Sequence, residues 1–207
     1  MTHTLHRRGT ETNLSNDFPM LSMAAQEFNT EGSKEKLQQF LKIALEHHPV
    51  NLGEMKYGNM YSHDQEHVVV NASGIVHALF DNEDDVIAFM RDLKQADIGL
   101  SVVISGLFSA VRRCASEAGL TPHTMEYSLG IWGNTSRLPE PEVLEVTTMC
   151  GHGMISSNLV RSLIADIRGG KTTANAAATR LAASCCCGVF NPTRAKELFA
   201  ASASKSE

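Results

Sequence analysis

The chain has 207 residues, of which 43% are hydrophobic and 20% charged, and its formal net charge is -5. This length can bury a substantial core, the composition argues against wholesale disorder, and the acidic balance argues against nucleic acid as a partner. The polar N-terminus lacks the apolar run of a signal peptide, and the most apolar segment is too short to span a bilayer, so we expect a cytoplasmic protein without membrane contact.

The order of the predicted elements indicates an α/β fold with a mixed β-sheet, flanking helices and a helical C-terminal segment that carries the cysteines. Apolar spacing, turn residues and helix caps mark the elements. In chain order they are a helix over 33–48, a strand over 49–54, a hairpin over 66–80, a helix over 82–97, a buried strand over 98–106, a helix over 107–120, strands over 123–133 and 142–149, and helices near 154–168, 173–183 and 192–202. The expected domains are an extended N-terminal arm over 1–30, an α/β core over 31–150 and a helical segment over 151–207.

Thiols are concentrated in two glycine-containing turns, each just before a predicted helix. Cys150 and His152 stand in TTMCGHGM, and Cys185, Cys186 and Cys187 stand in ASCCCGVFNP. Five cysteines in total cannot form a complete disulfide framework, and adjacent cysteines are poor partners for each other. Because helix N-termini stabilise thiolates, the two turns predict a metal site or a reactive thiol.

Within these turns we expect alternate residues to point the same way, so Cys185 and Cys187 would face the site together and Cys186 would point away from it. The predicted metal ligands are Cys150, Cys185, Cys187 and His152. Three glycines are expected to let the backbone wrap around the bound group: Gly151, Gly153 and Gly188. His152 is either the fourth ligand or an acid/base group.

Two kinds of metal centre suit this ligand set. Three thiolates suit a [4Fe–4S] cluster with one open iron, which we favour, and the addition of His152 gives a set that suits tetrahedral zinc. The alternatives are a thiol site without metal and the packing of small buried residues. Cys114, inside a predicted helix, is expected to be a buried structural residue.

Other residues are candidates for contact with a small-molecule substrate. Ser105 and Gly106 follow a predicted strand, at the sheet edge where α/β folds bind ligands, and Trp132 and Arg137 would line a pocket for an aromatic or anionic group. His63 would serve as an acid/base group. The predicted catalytic residues are therefore His63, Ser105 and His152. The competing interpretations are a plain turn for Ser105 and Gly106, a core anchor for Trp132 and a solvated loop for His63.

Together these features predict a metalloenzyme that acts on a small molecule by lyase, hydratase or sulfur-transfer chemistry. One alternative is a non-enzymatic protein that binds a metabolite or partner and carries a structural zinc ion. The other is a thiol-redox enzyme without metal. We expect no nucleotide cofactor, because no phosphate-binding motif is intact. We also expect no internal repeat. Assembly into a homo-oligomer is left open.

Overall fold

The computed structural model describes residues 6–204, and its first half is built on a five-stranded sheet in the order β3-β2-β4-β1-β5. The strands are β1 (Phe18–Met23), β2 (Asn51–Glu54), β3 (Gly58–Asn59), β4 (Val76–Phe80) and β5 (Ser101–Ile104). This sheet, its flanking helices and the helical C-terminal segment confirm the predicted fold class. The sheet was predicted to be mixed, whereas its pairs are all antiparallel: β1 runs opposite to β4 and β5, and β2 runs opposite to β3 and β4.

Helices flank this sheet and then make up the rest of the chain. They are α1 (Glu11–Leu14), α2 (Ser33–Leu45), α3 (Gln65–Asn71), α4 (Glu83–Ala96), α5 (Phe108–Glu117), α6 (Pro141–Thr147), α7 (Ser157–Arg168), α8 (Ala174–Ser184) and α9 (Pro192–Ser204). The start of α4 shows the local cause. The side chain of Asn82 accepts the Asp85 amide N–H, and acidic residues occupy the first turn, where the helix dipole favours them.

The segment predicted as an N-terminal arm contributes a strand to the interior of the sheet. Within residues 1–30, β1 pairs with β4 on one side and β5 on the other, and residues 1–5 lie outside the described part. Phe18 and Met20 of β1 are fully buried. The apolar patch in this polar segment is therefore a strand of the core.

Other segments also differ from the predicted strands. Residues 65–71 form α3, because the Asp64 carboxylate accepts the His67 amide N–H and caps a helix there. Residues 142–149 lie largely in α6, which has Pro141 in its first turn and a buried valine pair. Residues 123–133 form no described strand. β5 is an edge strand whose side chains alternate between exposed and half-buried, so it is not buried on both faces.

Buried apolar side chains form two separate clusters. The first packs the sheet against α2–α5, where the Phe89 ring lies 5.2 Å from that of Phe40 and 5.1 Å from that of Phe80. The second is formed by α6–α9 and includes Cys150, Cys185 and Cys187. None of the helices within residues 6–204 is both long and apolar enough to cross a membrane.

Candidate metal centre

The C-terminal half contains two copies of one helix–turn–helix unit, an internal repeat that we did not expect. The first copy is α6, a turn and α7; the second is α8, a turn and α9, and equivalent residues differ by 35 in number. In both turns a glycine amide N–H donates to the cysteine carbonyl oxygen, at 3.1 Å from Gly153 to Cys150 and 3.0 Å from Gly188 to Cys185. Both glycines have positive φ, +70° and +78°.

The equivalence extends into the following helices. Ser156 caps α7 and Asn191 caps α9, each through its side chain, and these two caps occupy corresponding positions. The buried residues also correspond: Val160, Leu163 and Ile164 in α7 match Ala195, Leu198 and Phe199 in α9. The repeat is hard to detect in the sequence because few of its residues are identical.

The two turns bring the four predicted ligand side chains into one row, which we call the thiol row: Cys150, Cys185, Cys187 and His152. Cys150 is hydrogen-bonded to Cys185. The Cys185 Sγ lies 3.9 Å from the Cys187 Sγ, which lies 3.6 Å from His152 Nδ1. The three cysteines are buried, whereas His152 is exposed. Cys186 is half-buried, and Cys114 is fully buried in α5, as expected for a core residue.

Backbone amides also point at the three sulfurs. Cys150 accepts from Met154 and His152, Cys185 from Phe190, and Cys187 from Val189. Such hydrogen bonds stabilise thiolates and are typical of the surroundings of metal-bound sulfur. The turns therefore form a cradle of amides for negative charge on sulfur.

The three thiols differ in how readily they ionise. The hydrogen bond to Cys185, together with burial, raises the pKa of Cys150. For Cys185, the hydrogen bond from Cys150 lowers the pKa, but the bond to Cys187 and burial outweigh it and raise the pKa to about 12. The hydrogen bond from Cys185 lowers the pKa of Cys187, and the positive charge of Arg7 contributes in the same direction. Negative charge in the row therefore collects first on Cys187, beside His152.

The second turn is fixed against the sheet. Asn59 Nδ2 donates to the carbonyl oxygens of Ala182 and Cys185, at 3.1 and 2.9 Å. Gly188 approaches the main chain of β2 so closely that a Cβ there would lie 2.6 Å from the carbonyl carbon of Leu52. This contact gives Gly188 a packing role. Gly151 and Gly153 are exposed, and nothing lies within 4 Å of a Cβ built on Gly153.

A buried ion-pair cluster adjoins the thiol row and was missed in the sequence. Asp17 pairs with Arg7 and, at 3.0 Å, with Arg194, and all three side chains are at most 5% exposed. Burial lowers the pKa of Arg194, while the charge of Asp17 opposes that effect. These residues come from the two ends of the chain, so no local pattern relates them.

The structure does not bring the other predicted site residues into the row's contacts. The amide N–H of Ser105 donates to Pro19 O at 2.8 Å, and Gly106 packs close to Phe18. Trp132 is 82% exposed.

Arg137 is also exposed, in a 3-10 turn over Thr135–Arg137. The exposed His63 ring contacts Ser62 and stacks on His67 with ring centroids 5.0 Å apart. Roles for these residues in substrate binding or catalysis stay predictions.

Neither of two surface depressions on the described residues is lined by the thiol row. One, of about 330 Å³, is lined by residues 122–125 and Arg112. The other, of about 210 Å³, is lined by residues of α6 and α7 and by Glu140. Across residues 6–204, no group of three or more His, Cys, Asp or Glu side chains has donor atoms placed to hold a metal ion. In the thiol row each side chain contacts the next one along, and the four do not converge on one point.

Comparison with protein-family models found no match to this chain, and comparisons with curated proteins and with solved structures found none either.

Proposed function

We propose that this protein is a metal-binding protein whose thiol row holds a single tetrahedral metal ion. The donor atoms, three sulfurs and one imidazole nitrogen, favour zinc. The ion joins the two helix–turn–helix units to each other, which makes it a structural centre. Three thiolates and one imidazole form a common structural zinc set, and a structural zinc ion contributes directly to folding free energy.

The spacing of the donor atoms is the observation that carries this proposal. Two thiolates on one tetrahedral zinc ion, each bound at about 2.3 Å, lie about 3.8 Å apart. A thiolate and an imidazole nitrogen on the same ion lie about 3.5 Å apart. The corresponding distances here are 3.9 Å between Cys185 and Cys187, and 3.6 Å between Cys187 and His152. The proposal requires the four side chains to reorient on binding, so that their donor atoms converge on one ion.

Burial supports a ligand role for the thiols over a reactive one. Cys185 and Cys187 are 0% exposed, so an external substrate or oxidant has no access to either sulfur in this conformation. Catalytic and redox-sensing thiols are at least partly exposed. Cys187, whose pKa is lowered, would otherwise be the natural nucleophile of the four.

An iron–sulfur enzyme is the second candidate, and the exposure of His152 favours it. With three buried cysteines as ligands, the fourth iron would lie open on the exposed side of the row, next to His152. A small molecule would bind there, and the open iron would act as a Lewis acid. Against this candidate, each cysteine of a [4Fe–4S] cluster binds a different iron, so the sulfurs would have to stand farther apart than Cys185 and Cys187 do.

Metal and sulfide analysis of protein purified without oxygen tests the proposal. The test variant is Cys150→Ser, and the matched control is Cys186→Ser, which changes a thiol in the second turn outside the row. We expect one zinc ion per chain in the wild type and in Cys186→Ser, loss of zinc in Cys150→Ser, and no labile sulfide.

Three results would overturn the structural zinc centre. Iron with labile sulfide and a broad visible absorption would establish the second candidate. Absence of metal from the wild type, even after incubation with Zn²⁺, would leave the row as a packed thiol cluster. Full zinc occupancy in Cys150→Ser would show that Cys150 is not needed to hold the ion, and would overturn a centre that depends on all four side chains.

A further inference from the structure

One side chain from the N-terminal segment touches both ligand-bearing turns. Arg7 Nη2 donates to the carbonyl oxygen of Met149, at 3.1 Å, and to that of Val189. Met149 immediately precedes Cys150, and Val189 follows the glycine that closes the second turn. Arg7 therefore links the two repeats at the point where their cysteines meet.

The guanidinium is itself fixed from the opposite side. Its Nη1 pairs with one carboxylate oxygen of Asp17, and the other oxygen accepts from Arg194 Nη1 at 3.0 Å. Asn191, the cap of α9, also donates to Asp17 through its side-chain amide at 3.0 Å. Arg7 is thus held between a buried carboxylate and the two turns, with little freedom to move.

The charges of these groups complement those of an occupied centre. Arg7 and Arg194 with Asp17 carry a net charge of +1, whereas three thiolates around a divalent cation carry a net charge of -1. Buried charge is costly unless it is compensated, so a loaded centre needs a fixed positive group nearby. Of the two guanidinium groups, the one on Arg7 touches the turns.

We propose that Arg7 is a positioning residue of the metal centre: it holds the two ligand-bearing turns in register and neutralises the excess charge of the bound thiolates. This inference rests on the proposed function, because it presumes that the thiol row binds an ion. It also gives the N-terminal segment a role in the site.

Zinc affinities measured by chelator competition test the role of Arg7. The variants are Arg7→Met, which removes the charge and the donors, and Arg7→Lys, which keeps the charge but cannot serve two carbonyls and a carboxylate together. Arg8→Met is the matched control, since it removes one positive charge from an exposed side chain of the same segment.

We expect Arg7→Met to weaken zinc binding by about 10- to 100-fold, the effect typical of losing an outer-shell partner. Arg7→Lys should fall between Arg7→Met and the wild type, and Arg8→Met should match the wild type. Absorption spectra of the Co²⁺-loaded proteins give a second measurement, because displaced turns change the thiolate-to-metal bands. Circular dichroism of the metal-free proteins establishes that each variant is folded.

The results separate the two proposals. Wild-type zinc affinity and an unchanged Co²⁺ spectrum in Arg7→Met would overturn the role of Arg7 and leave the metal centre standing. A wild-type protein that binds neither ion would overturn the metal centre itself. If Arg7→Met does not fold, Arg7→Lys decides: weakened binding supports the role, and wild-type binding refutes it.

Discussion

The two turns offer a direct test of how closely the sheet and the second repeat pack. Gly153 and Gly188 occupy equivalent positions and both have φ near +70° to +78°. Their surroundings differ, because a Cβ on Gly153 would meet nothing within 4 Å, whereas one on Gly188 would meet main-chain atoms of β2 at 2.6 to 2.9 Å. The paired substitutions Gly153→Ala and Gly188→Ala therefore separate backbone strain from steric overlap.

The cost of each substitution follows from those surroundings. Alanine in the left-handed region costs about 1–2 kcal/mol, and both variants carry this cost. At Gly188 the atoms in contact belong to the backbone, which cannot rotate away, so overpacking adds about 1–3 kcal/mol. We expect losses in the free energy of unfolding of about 1–2 kcal/mol for Gly153→Ala and about 2–5 kcal/mol for Gly188→Ala.

Urea denaturation in the presence of a chelator measures these losses without a contribution from metal binding. The midpoint and slope of each transition give the free energy of unfolding, and an unchanged slope shows that a substitution has altered stability alone. Equal losses for the two variants, within about 0.5 kcal/mol, would refute the close approach between the second turn and β2.

Five other residues give predictions for reactivity and stability. Burial raises the pKa of Cys114 to about 11, so native-state alkylation should be slower at Cys114 than at the half-buried Cys186 and should accelerate with rising pH; equal rates by mass spectrometry would contradict this. Asn191→Ala should cost about 2–4 kcal/mol in urea denaturation, because it removes a helix cap and buried hydrogen bonds, whereas Ser156→Ala at the exposed equivalent cap should cost about 1 kcal/mol or less. Burial raises the pKa of Glu54, so the folded state binds its proton more tightly than the unfolded state does, and stability falls as the pH rises through that raised value. Glu54→Gln should therefore be more stable than the wild type at neutral pH and equal to it in acid. Thermal unfolding measured across pH tests this, and a wild type that is the more stable protein at neutral pH would contradict it.

Sequence patterns predicted the elements whose signals are local. The helices from 33, 82 and 107 and the three that close the chain all carry caps or apolar spacing of their own, and the structure confirms them. The two cysteine turns were also recognisable, because a thiol beside a glycine before a capped helix is a local feature. The structure then placed Cys150, Cys185, Cys187 and His152 in contact, as the spacing of alternate residues suggests.

Features that depend on distant residues escaped prediction. β1 could not be recognised as a central strand, since its burial depends on strands that come more than fifty residues later. Residues 65–71 are rich in valine, which favours strands, but the Asp64 cap and packing against α2 and the sheet select a helix. The Arg7, Asp17 and Arg194 cluster joins residues that the sequence separates by almost the whole chain.

The repeat also explains why three cysteines stand together. Cys185 corresponds to Cys150, Cys187 to His152 and Gly188 to Gly153. In each turn, therefore, the two members of the thiol row are separated by one intervening residue. That intervening residue is Gly151 in the first turn and Cys186 in the second. Since glycine fills the position in one copy, the turn does not require a thiol there, and the repeat accounts for Cys185 and Cys187 but not for Cys186 between them.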